Sequence, residues 1–273
     1  MKKMFGIIGN PIKHSLSPLL HNYWFEKYKV DATYSIMEAE EKDLEKIVGK
    51  IKDKSLFGIN VTLPFKQKII NYTDKIVNDA NATGSVNTLL LDDNASVIGD
   101  NTDVFGLQAA YLKQIDNEER RKALVIGAGG VSPSAIFSLQ KSGIKNISII
   151  NRTQEKCLFL KKRFNYLNIL SWNNLQSEIG NYDVIINATS LGLKNGQDFD
   201  FDFSKCKEDA IYIDTIYNPL KTKTFKFLED KGVMVFNGLD MFIYQGQKSF
   251  FLWNKINPEI DEDLVNLLLS RLK

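Results

Sequence analysis

The sequence predicts an α/β protein of two α/β domains, the first of which has three layers around a mainly parallel sheet. Two observations support this fold class. Short apolar segments alternate with amphipathic segments twice along the 273 residues, and the second series opens with an apolar segment that runs directly into a glycine-rich turn. Strand–helix alternation needs crossover connections, which are typical of parallel sheets. At roughly 150 residues per domain, the length also favours two domains.

The first series occupies the N-terminal third of the chain. Its apolar runs are residues 4–8, 33–37 and 56–62, and its amphipathic stretches are residues 18–28, 43–50 and 64–72. The pattern then changes to two extended runs, 86–91 and 96–98, on either side of the polar segment 92–94. Two extended runs around a short polar turn indicate a β-hairpin, which we expect to close this domain.

The second series starts with a predicted helix over residues 104–115. Strands are predicted at 123–126, 147–150, 184–187, 211–214 and 233–236, with helices that begin near Pro133, Gln154 and Thr222. Two further helices are predicted at 239–253 and 259–273. We therefore predict a first domain at 1–103, a second at 104–237, and C-terminal helices at 238–273 that return to the first domain.

Composition excludes several classes of protein. The net charge is only +2, with 44% hydrophobic and 25% charged residues, which is unlike a basic nucleic-acid binder or a disordered chain. Cys157 and Cys206 are too few for a disulfide framework, so we expect free thiols. The N-terminal apolar run is too short for a signal peptide, and no segment is long enough to span a bilayer. We expect a cytoplasmic protein, a monomer or homodimer, that binds small molecules rather than nucleic acid or membrane.

The glycine-rich turn follows the predicted strand 123–126. It consists of Gly127, Ala128, Gly129, Gly130 and Val131. Glycine lets the backbone approach a pyrophosphate, and the helix that follows directs N–H groups and its positive dipole end at the same anion. We predict Ser132 as the N-cap of that helix and Pro133 as its first residue. The segment predicts a Rossmann-like dinucleotide-binding domain, although such a turn can also simply connect a strand to a helix.

The next strand bears on the choice of dinucleotide. An Asp or Glu about twenty residues after the turn would hold the ribose 2′-hydroxyl of NAD. This chain instead has Asn151, Arg152 and Thr153, with Lys156 close by. Their charge and hydrogen-bonding groups suit a 2′-phosphate, so NADP is the predicted cofactor. The alternative is that Arg152 is only a solvated charge at the end of a strand.

Polar side chains in the first domain follow predicted strands, where open α/β sheets place their ligands. They include Ser15 and Ser17, Asn60 and Thr62 with Lys66, Asn87, and Asp103. We predict Ser17 as a helix N-cap, so that the two serines could hold a small carboxylate with hydroxyl and backbone donors. A capping serine without a ligand is the simpler alternative.

Lys66 is predicted to lie at the opening of a helix, where the positive dipole end disfavours a cation. That placement indicates either a nearby anion or a lysine whose proton can be transferred, and Asp103 is the natural partner. A solvated lysine and a capping aspartate remain alternatives. His14 and His21 have no third ligand nearby, so no metal site is predicted.

Taken in order, these segments resemble the motif set of shikimate dehydrogenases across essentially the whole chain. The motifs are residues 9–18, 60–66, 84–88, 99–103, 127–130, 151–153, 187–190, 214–219 and 237–241, followed by Gln245 and Gln247. The resemblance implies NADP-dependent interconversion of 3-dehydroshikimate and shikimate, a step of chorismate and aromatic amino acid biosynthesis.

The resemblance also implies the roles of individual residues. Lys66 and Asp103 would form the catalytic pair, and Ser15 and Ser17 would hold the substrate carboxylate. The ring hydroxyls would be oriented by Asn60, Thr62, Asn87, Asp103, Tyr217 and Gln245. The cofactor would be held by the backbone of Gly127 to Val131 and by Asn151, Arg152, Thr153 and Lys156, with Thr215 and Gly238 near the nicotinamide.

Two departures from the family pattern bear on cofactor choice. Lys156 stands where the family often has arginine, and residues 131–134 lack a basic residue, so NADP preference could be less strict. An NAD-preferring quinate/shikimate dehydrogenase is therefore an alternative, although Arg152 and the serine pair argue against it. A non-catalytic dinucleotide sensor would explain the glycine turn but not Lys66, Asp103 and the serines together.

Overall fold

A computed structural model describes residues 2–113, 115, 122–193 and 197–272. The chain divides into two compact units. Unit 1 comprises Met1–Gly106 and Ile243–Arg271, and unit 2 comprises Leu107–Phe242 and Leu272–Lys273. Among the described residues, the helices are too short or too polar to cross a membrane.

Unit 1 contains a six-stranded mixed sheet in the order β2-β1-β3-β5-β6-β4. Its strands are β1 (Lys3–Gly9), β2 (Ala32–Glu38), β3 (Gly58–Val61), β4 (Lys75–Ile76), β5 (Thr88–Leu91) and β6 (Val97–Asp100). The β1–β2, β1–β3 and β4–β6 ladders are parallel, whereas β5 runs antiparallel to β3 and β6. The predicted hairpin is therefore present as β5 and β6, and the sheet is mainly parallel as expected.

Helices cover this sheet. They are α1 (Ser17–Lys27), α2 (Leu44–Lys52), α3 (Asn78–Thr83), α4 (Asp103–Leu107), the part of α9 (Leu239–Asn254) after residue 242, and α10 (Glu262–Leu269). In α2 the apolar positions recur at helical spacing, and Leu44, Val48 and Ile51 are buried in the same core as the strands β1, β3 and β5. The indole of Trp24 in α1 donates to the Glu259 carbonyl over 3.0 Å, and that of Trp253 to the Leu89 carbonyl over 3.0 Å. The predicted return of the C-terminal helices to the first domain is confirmed.

Unit 2 contains an entirely parallel sheet in the order β12-β11-β10-β7-β8-β9. Its strands are β7 (Lys122–Ile126), β8 (Asn146–Ile150), β9 (Asn168–Ile169), β10 (Val184–Asn187), β11 (Ile211–Asp214) and β12 (Met234–Phe236). The helices are α5 (Ser132–Lys141), α6 (Gln154–Arg163), α7 (Leu175–Glu178) and α8 (Lys223–Asp230). This is the doubly wound order of dinucleotide-binding sheets, and β7 and β10 meet at its switch point.

The predicted strands of unit 2 are confirmed because strands buried on both faces read as continuous apolar runs. Strand β9 was not predicted because two residues are too few for a periodic signal. The predicted helix 104–115 is present as α4 followed by a π-helical turn, Gln108–Leu112, and residue 114 lies outside the described part of the chain.

Two other helix predictions need correction. Residues 64–72 form a turn and a short 3₁₀ segment, Lys68–Tyr72, in which Ile69 is the buried residue. The two isoleucines and the asparagine of this segment have lower helix propensity than unbranched residues. The last helix begins at Glu262 rather than near 259, because the Asp261 side chain caps it by accepting the Leu264 N–H over 2.8 Å. Its predicted last residue, Lys273, lies outside the described residues.

Candidate active site

The two serines at the start of α1 lie together. The Ser15 hydroxyl oxygen accepts the Ser17 N–H over 3.2 Å, and the Ser15 hydroxyl donates to the Ser17 Oγ over 3.1 Å. The prediction of Ser17 as N-cap is wrong, because Leu16 occupies that position and Ser17 is the first helical residue, with Pro18 next. Both hydroxyls nevertheless lie at the N-terminus of an 11-residue helix, whose first N–H groups have no acceptor within the helix.

Lys66 and Asp103 form a buried ion pair. Lys66 is 9% exposed and Asp103 is 4% exposed, and the Lys66 Nζ lies 2.5 Å from the Asp103 Oδ2. A buried ion pair persists only when further hydrogen bonds satisfy the remaining oxygens. The second oxygen of Asp103 accepts the Asn87 amide over 2.8 Å. Lys66 precedes a short 3₁₀ segment instead of opening an α-helix, so its nearby anion, not a helix dipole, defines its surroundings.

Asn87 connects this pair to the C-terminal helix α9. Its Oδ1 accepts the Thr102 N–H over 2.7 Å, which fixes the orientation of the amide. The Asn87 Nδ2 is thereby turned towards Asp103 and towards the Gln245 Oε1, which lies 3.4 Å away. Four of the residues predicted for substrate binding, Lys66, Asn87, Asp103 and Gln245, therefore form one cluster in unit 1.

Asn60 lies in β3, and both the oxygen and the nitrogen of its side-chain amide form hydrogen bonds. Its Oδ1 accepts the Tyr34 hydroxyl over 2.7 Å. Its Nδ2 faces the Ser249 Oγ at 2.9 Å, the Thr88 Oγ1 at 3.0 Å and the Asn87 carbonyl at 3.1 Å. Thr62 is half-buried just beyond β3, where its methyl group closely approaches Gly9.

Sequence reasoning missed two residues that surround Asn60, namely Tyr34 and Ser249, whereas Thr88 belongs to the motif segment 84–88. Ser249 carried a usable signal, because it is a polar residue one turn after Gln245 on an otherwise largely apolar helix. Tyr34 carried none, since a tyrosine in a strand is ordinary.

His21 lies behind the cluster in an aromatic environment. Its ring stacks on Tyr34 with centroids 4.4 Å apart and an interplanar angle of 11°, and Trp24 and Trp253 lie within 6 Å of it. Neither ring nitrogen has a hydrogen-bond partner among the described residues. Burial lowers the pKa of His21 to about 3, an effect that the Asn60 amide offsets only in part. The imidazole is therefore neutral near pH 7. Among the described residues, no group of three or more His, Cys, Asp or Glu side chains could hold a metal ion.

The glycine turn of unit 2 lies at the carboxyl end of β7. Gly127 has a φ of +111°, and an added Cβ would lie 2.8 Å from the Ala188 carbonyl oxygen, so only glycine fits. The Gly129 N–H donates to the Ser132 Oγ over 2.9 Å, and the Ala128 N–H donates to the Asn151 Oδ1 over 3.2 Å. Ser132 is thus the first residue of α5 and not its N-cap, because its hydroxyl is turned back into the loop.

The basic residues predicted for the cofactor lie on the surface of unit 2. Arg152, Thr153 and Lys156 are exposed, immediately after β8 and in the first turn of α6. Asn151 joins this segment to the glycine turn, since its Oδ1 accepts from Ala128 while its Nδ2 donates to the Thr153 carbonyl over 2.9 Å.

Two further predicted residues of unit 2 lie side by side. An added Cβ at Gly238 would collide with the Thr215 carbonyl, so the two backbones are in close contact. The Thr215 hydroxyl donates to the Asn187 carbonyl over 2.8 Å. Tyr217 packs its ring on Phe242, with centroids 4.8 Å apart.

Asp214, at the end of β11, is buried and has no charged partner within the described part of the chain. Its carboxylate accepts the Asn187 amide over 3.1 Å, the Ile216 N–H over 3.0 Å and the Thr222 hydroxyl over 2.8 Å. Burial raises the pKa of Asp214 to about 6, although these three donors favour the ionised form. The carboxylate thereby joins the segments that follow β10 and β11.

These features define a class of two-unit α/β proteins. One unit has a doubly wound sheet with a glycine turn at its switch point, and the other has a buried lysine–aspartate pair. Residues 7–89 match the family model "Shikimate dehydrogenase substrate binding domain", and residues 110–194 match "Shikimate / quinate 5-dehydrogenase". The chain is 44% identical to the shikimate dehydrogenase (NADP(+)) of Pelagibacter ubique over 98% of this chain and 99% of that one. The chain belongs to the shikimate dehydrogenase family.

Solved structures agree with this assignment. The shikimate dehydrogenase of Aquifex aeolicus is 33% identical and superposes with a TM-score of 0.87, covering 97% of this chain and 96% of its own. The shikimate 5-dehydrogenase of Thermus thermophilus, solved in complex with NADP(H) and shikimate, is 27% identical with a TM-score of 0.87, covering 99% and 100%.

Proposed function

We propose that this chain catalyses the NADP-dependent, reversible reduction of 3-dehydroshikimate to shikimate in chorismate and aromatic amino acid biosynthesis. The observation that carries the proposal is the buried Lys66–Asp103 pair, joined to Asn87 and Gln245 within unit 1. The name and nearly complete coverage of the Pelagibacter ubique relative support the same activity. Unit 1 acts as the substrate domain and unit 2 as the NADP-binding domain.

The substrate is a carboxylate on a ring that carries hydroxyl groups. The hydroxyls of Ser15 and Ser17 and the N–H groups at the start of α1 bind the carboxylate, which an anion-attracting helix end favours. Within unit 1, the ring hydroxyls are oriented by Asn60, Thr62, Asn87, Asp103 and Gln245. Asn87 is well suited to this role because Thr102 fixes which of its amide atoms faces the site.

The residues of unit 2 fit NADP. A turn that leaves no space for a Cβ at Gly127, followed by the 10-residue helix α5, lets the backbone of residues 127–131 lie close to a pyrophosphate at the positive dipole end of that helix. Arg152, Thr153 and Lys156 are exposed and would hold the 2′-phosphate, and Thr215 and Gly238 would hold the nicotinamide. When bound, the cofactor supplies the hydride that reduces the ketone carbon.

Lys66 supplies the proton of the reduction. Its Nζ gives a proton to the oxygen on which negative charge develops, and takes a proton from the substrate hydroxyl in the reverse direction. Asp103 holds that nitrogen at 2.5 Å, and Asn87 holds the other oxygen of Asp103 at 2.8 Å, so the donor is oriented before the substrate binds. Such preorganisation removes the cost of orienting the donor during the reaction.

Initial rates of dinucleotide reduction test the proposal. We expect the highest kcat/KM with NADP and shikimate, and much lower values with NAD or with quinate. A preference for NAD and quinate would replace the proposal with a quinate/shikimate dehydrogenase, a candidate favoured only by Lys156 and by the absence of a basic residue at 131–134. Dinucleotide binding without turnover of shikimate would indicate a non-catalytic sensor instead.

A further inference from the structure

Ser249 lies at the centre of a buried group of polar side chains, and the proposed reaction assigns no role to its hydroxyl. Its side chain is fully buried. Four polar groups from separate segments surround its hydroxyl: Asn60 Nδ2 at 2.9 Å, Thr88 Oγ1 at 2.9 Å, Thr102 Oγ1 at 3.1 Å and the Gln245 carbonyl at 3.0 Å. We call Tyr34, Asn60, Thr88, Thr102 and Ser249 the Ser249 cluster.

The directions of the hydrogen bonds in this cluster are constrained. A tyrosine hydroxyl has one proton, and that of Tyr34 is donated to the Asn60 Oδ1. The Asn60 NH₂ group must therefore face Ser249 and Thr88, whose oxygens accept from it. Ser249 in turn donates its single proton to the Gln245 carbonyl one turn earlier in α9. Tyr34 and Ser249 together fix the orientation of the Asn60 amide.

The cluster contacts the substrate-binding residues on two sides. Asn60 donates to the Asn87 carbonyl, and Thr102 donates its N–H to the Asn87 side chain. Gln245 lies on the same face of α9 as Ser249, four residues earlier, so a shift of this turn would move the Gln245 amide as well. The two N–H groups of Asn60 share three acceptors, the Asn87 carbonyl and the hydroxyls of Thr88 and Ser249. Loss of the Ser249 hydroxyl would remove the acceptor that comes from α9 and would loosen α9 against β3 and β5.

We propose that Ser249 and Tyr34 are positioning residues of the dehydrogenase, which hold Asn87 and Gln245 in place by orienting Asn60. This inference rests on the proposed function. The hydroxyls of Tyr34 and Ser249 lie outside the proposed substrate contacts. They raise the affinity for the substrate and do not change the affinity for the cofactor.

The test uses single hydroxyl deletions. Ser249→Ala and Tyr34→Phe each remove about one hydrogen bond, so we expect the KM for shikimate to rise about five- to tenfold in each, with an unchanged KM for NADP. The matched control is Tyr23→Phe, which deletes a tyrosine hydroxyl that donates to Asp261 in the same unit, away from the cluster. We expect it to lower Tm without changing the KM for shikimate. Shikimate binding measured by calorimetry gives the same comparison without turnover.

A double-mutant cycle tests whether the hydroxyls of Tyr34 and Ser249 both act through Asn60 or act independently. Because both hydroxyls act on Asn60, the Tyr34→Phe/Ser249→Ala protein should lose less kcat/KM than the product of the single losses, whereas Tyr23→Phe should combine with Ser249→Ala independently. A lowered Tm with an unchanged KM for shikimate in both single variants would overturn the inference, and so would fully independent effects in the double variant. If the unmodified chain bound and oxidised no shikimate, the proposed function itself would fail, and this inference with it.

Discussion

Unit 1 buries His21 among aromatic rings, whereas unit 2 buries Asp214 among neutral hydrogen-bond donors. Both side chains lack a partner of opposite charge among their described contacts. Burial lowers the pKa of His21 and raises that of Asp214, and each shift favours the neutral side chain. The contributions of these two side chains to stability must therefore change with pH in opposite directions. The Lys66–Asp103 pair differs from both, because each charge is the partner of the other.

The signs follow from linkage between protonation and folding. The folded pKa of His21 is lowered from 6.5 to about 3, so its contribution to stability is present above pH 6.5 and is lost as the pH falls towards 3. The folded pKa of Asp214 is raised from 3.8 to about 6, so its contribution is present below pH 3.8 and is lost as the pH rises through 6. Burial without a counter-charge thus makes the contribution of His21 fall in acid and that of Asp214 fall as the pH rises from 3.8 to about 6.

The largest expected effect concerns the paired charges. Lys66→Ala should lower kcat about 10²- to 10⁴-fold, the usual contribution of a general acid, while the KM for NADP stays nearly unchanged. Steady-state kinetics in both directions measure this. The control is Lys68→Ala, since Lys68 is an exposed lysine two residues away that pairs with Glu41. Near-normal turnover of the Lys66 variant would remove this lysine from the proposed mechanism.

The next effect concerns acid stability of unit 1. Below pH 6.5 the buried His21 should cost the folded state about 1.4 kcal/mol for each unit of pH, because the unfolded imidazole takes up a proton that the folded one does not. His21→Phe should flatten this slope, because the side chain can then no longer take up a proton. The substitution breaks no hydrogen bond of the ring nitrogens among the described residues. Hydrogen exchange of peptides from α1, corrected for intrinsic rates, measures it. His14→Gln changes an exposed histidine near the same helix and should leave the slope intact.

Asp214 should produce a smaller effect of opposite sign in unit 2. Burial raises the pKa of Asp214 from 3.8 to about 6. This difference corresponds to about 3 kcal/mol of folding stability, which is lost as the buried carboxyl ionises with rising pH. Asp214→Asn cannot ionise and should remove this dependence in peptides from β11. Asp230→Asn, at an exposed position in α8, is the matched control. If the α1 and β11 peptides both gained stability with rising pH over this range, the opposite behaviour of His21 and Asp214 would be contradicted.

The sequence predicts the parts of this molecule that depend on local patterns. The strands of unit 2 follow from apolar runs, and the Gly127 turn follows from its place between a strand and a helix. The pairing of Lys66 with Asp103 was expected because an unpaired lysine there needed an anion. The reason given was partly wrong, since residues 64–72 form no α-helix and the dipole argument does not apply.

What the sequence cannot predict depends on contacts between distant segments. Ser17 and Ser132 precede prolines and look like N-caps, yet each hydroxyl bonds within its loop and the helix begins at the serine itself. Tyr34, Thr88 and Ser249 meet only because β2, β5 and α9 fold together around Asn60. Nothing in their spacing indicates that meeting.

The smallest expected effect concerns an exposed cation. Arg152 in unit 2 is solvated, unlike the buried Lys66 of unit 1, so its attraction to a 2′-phosphate is partly screened. Arg152→Ala should raise the KM for NADP about tenfold and leave that for NAD unchanged, while Lys162→Ala, at the far end of α6, should change neither. Lys156→Arg should strengthen the preference for NADP, because a planar guanidinium can bind two phosphate oxygens at once and an ammonium cannot. Equal effects on both dinucleotides would mean that these residues contact the shared part of the cofactor and not its 2′-phosphate.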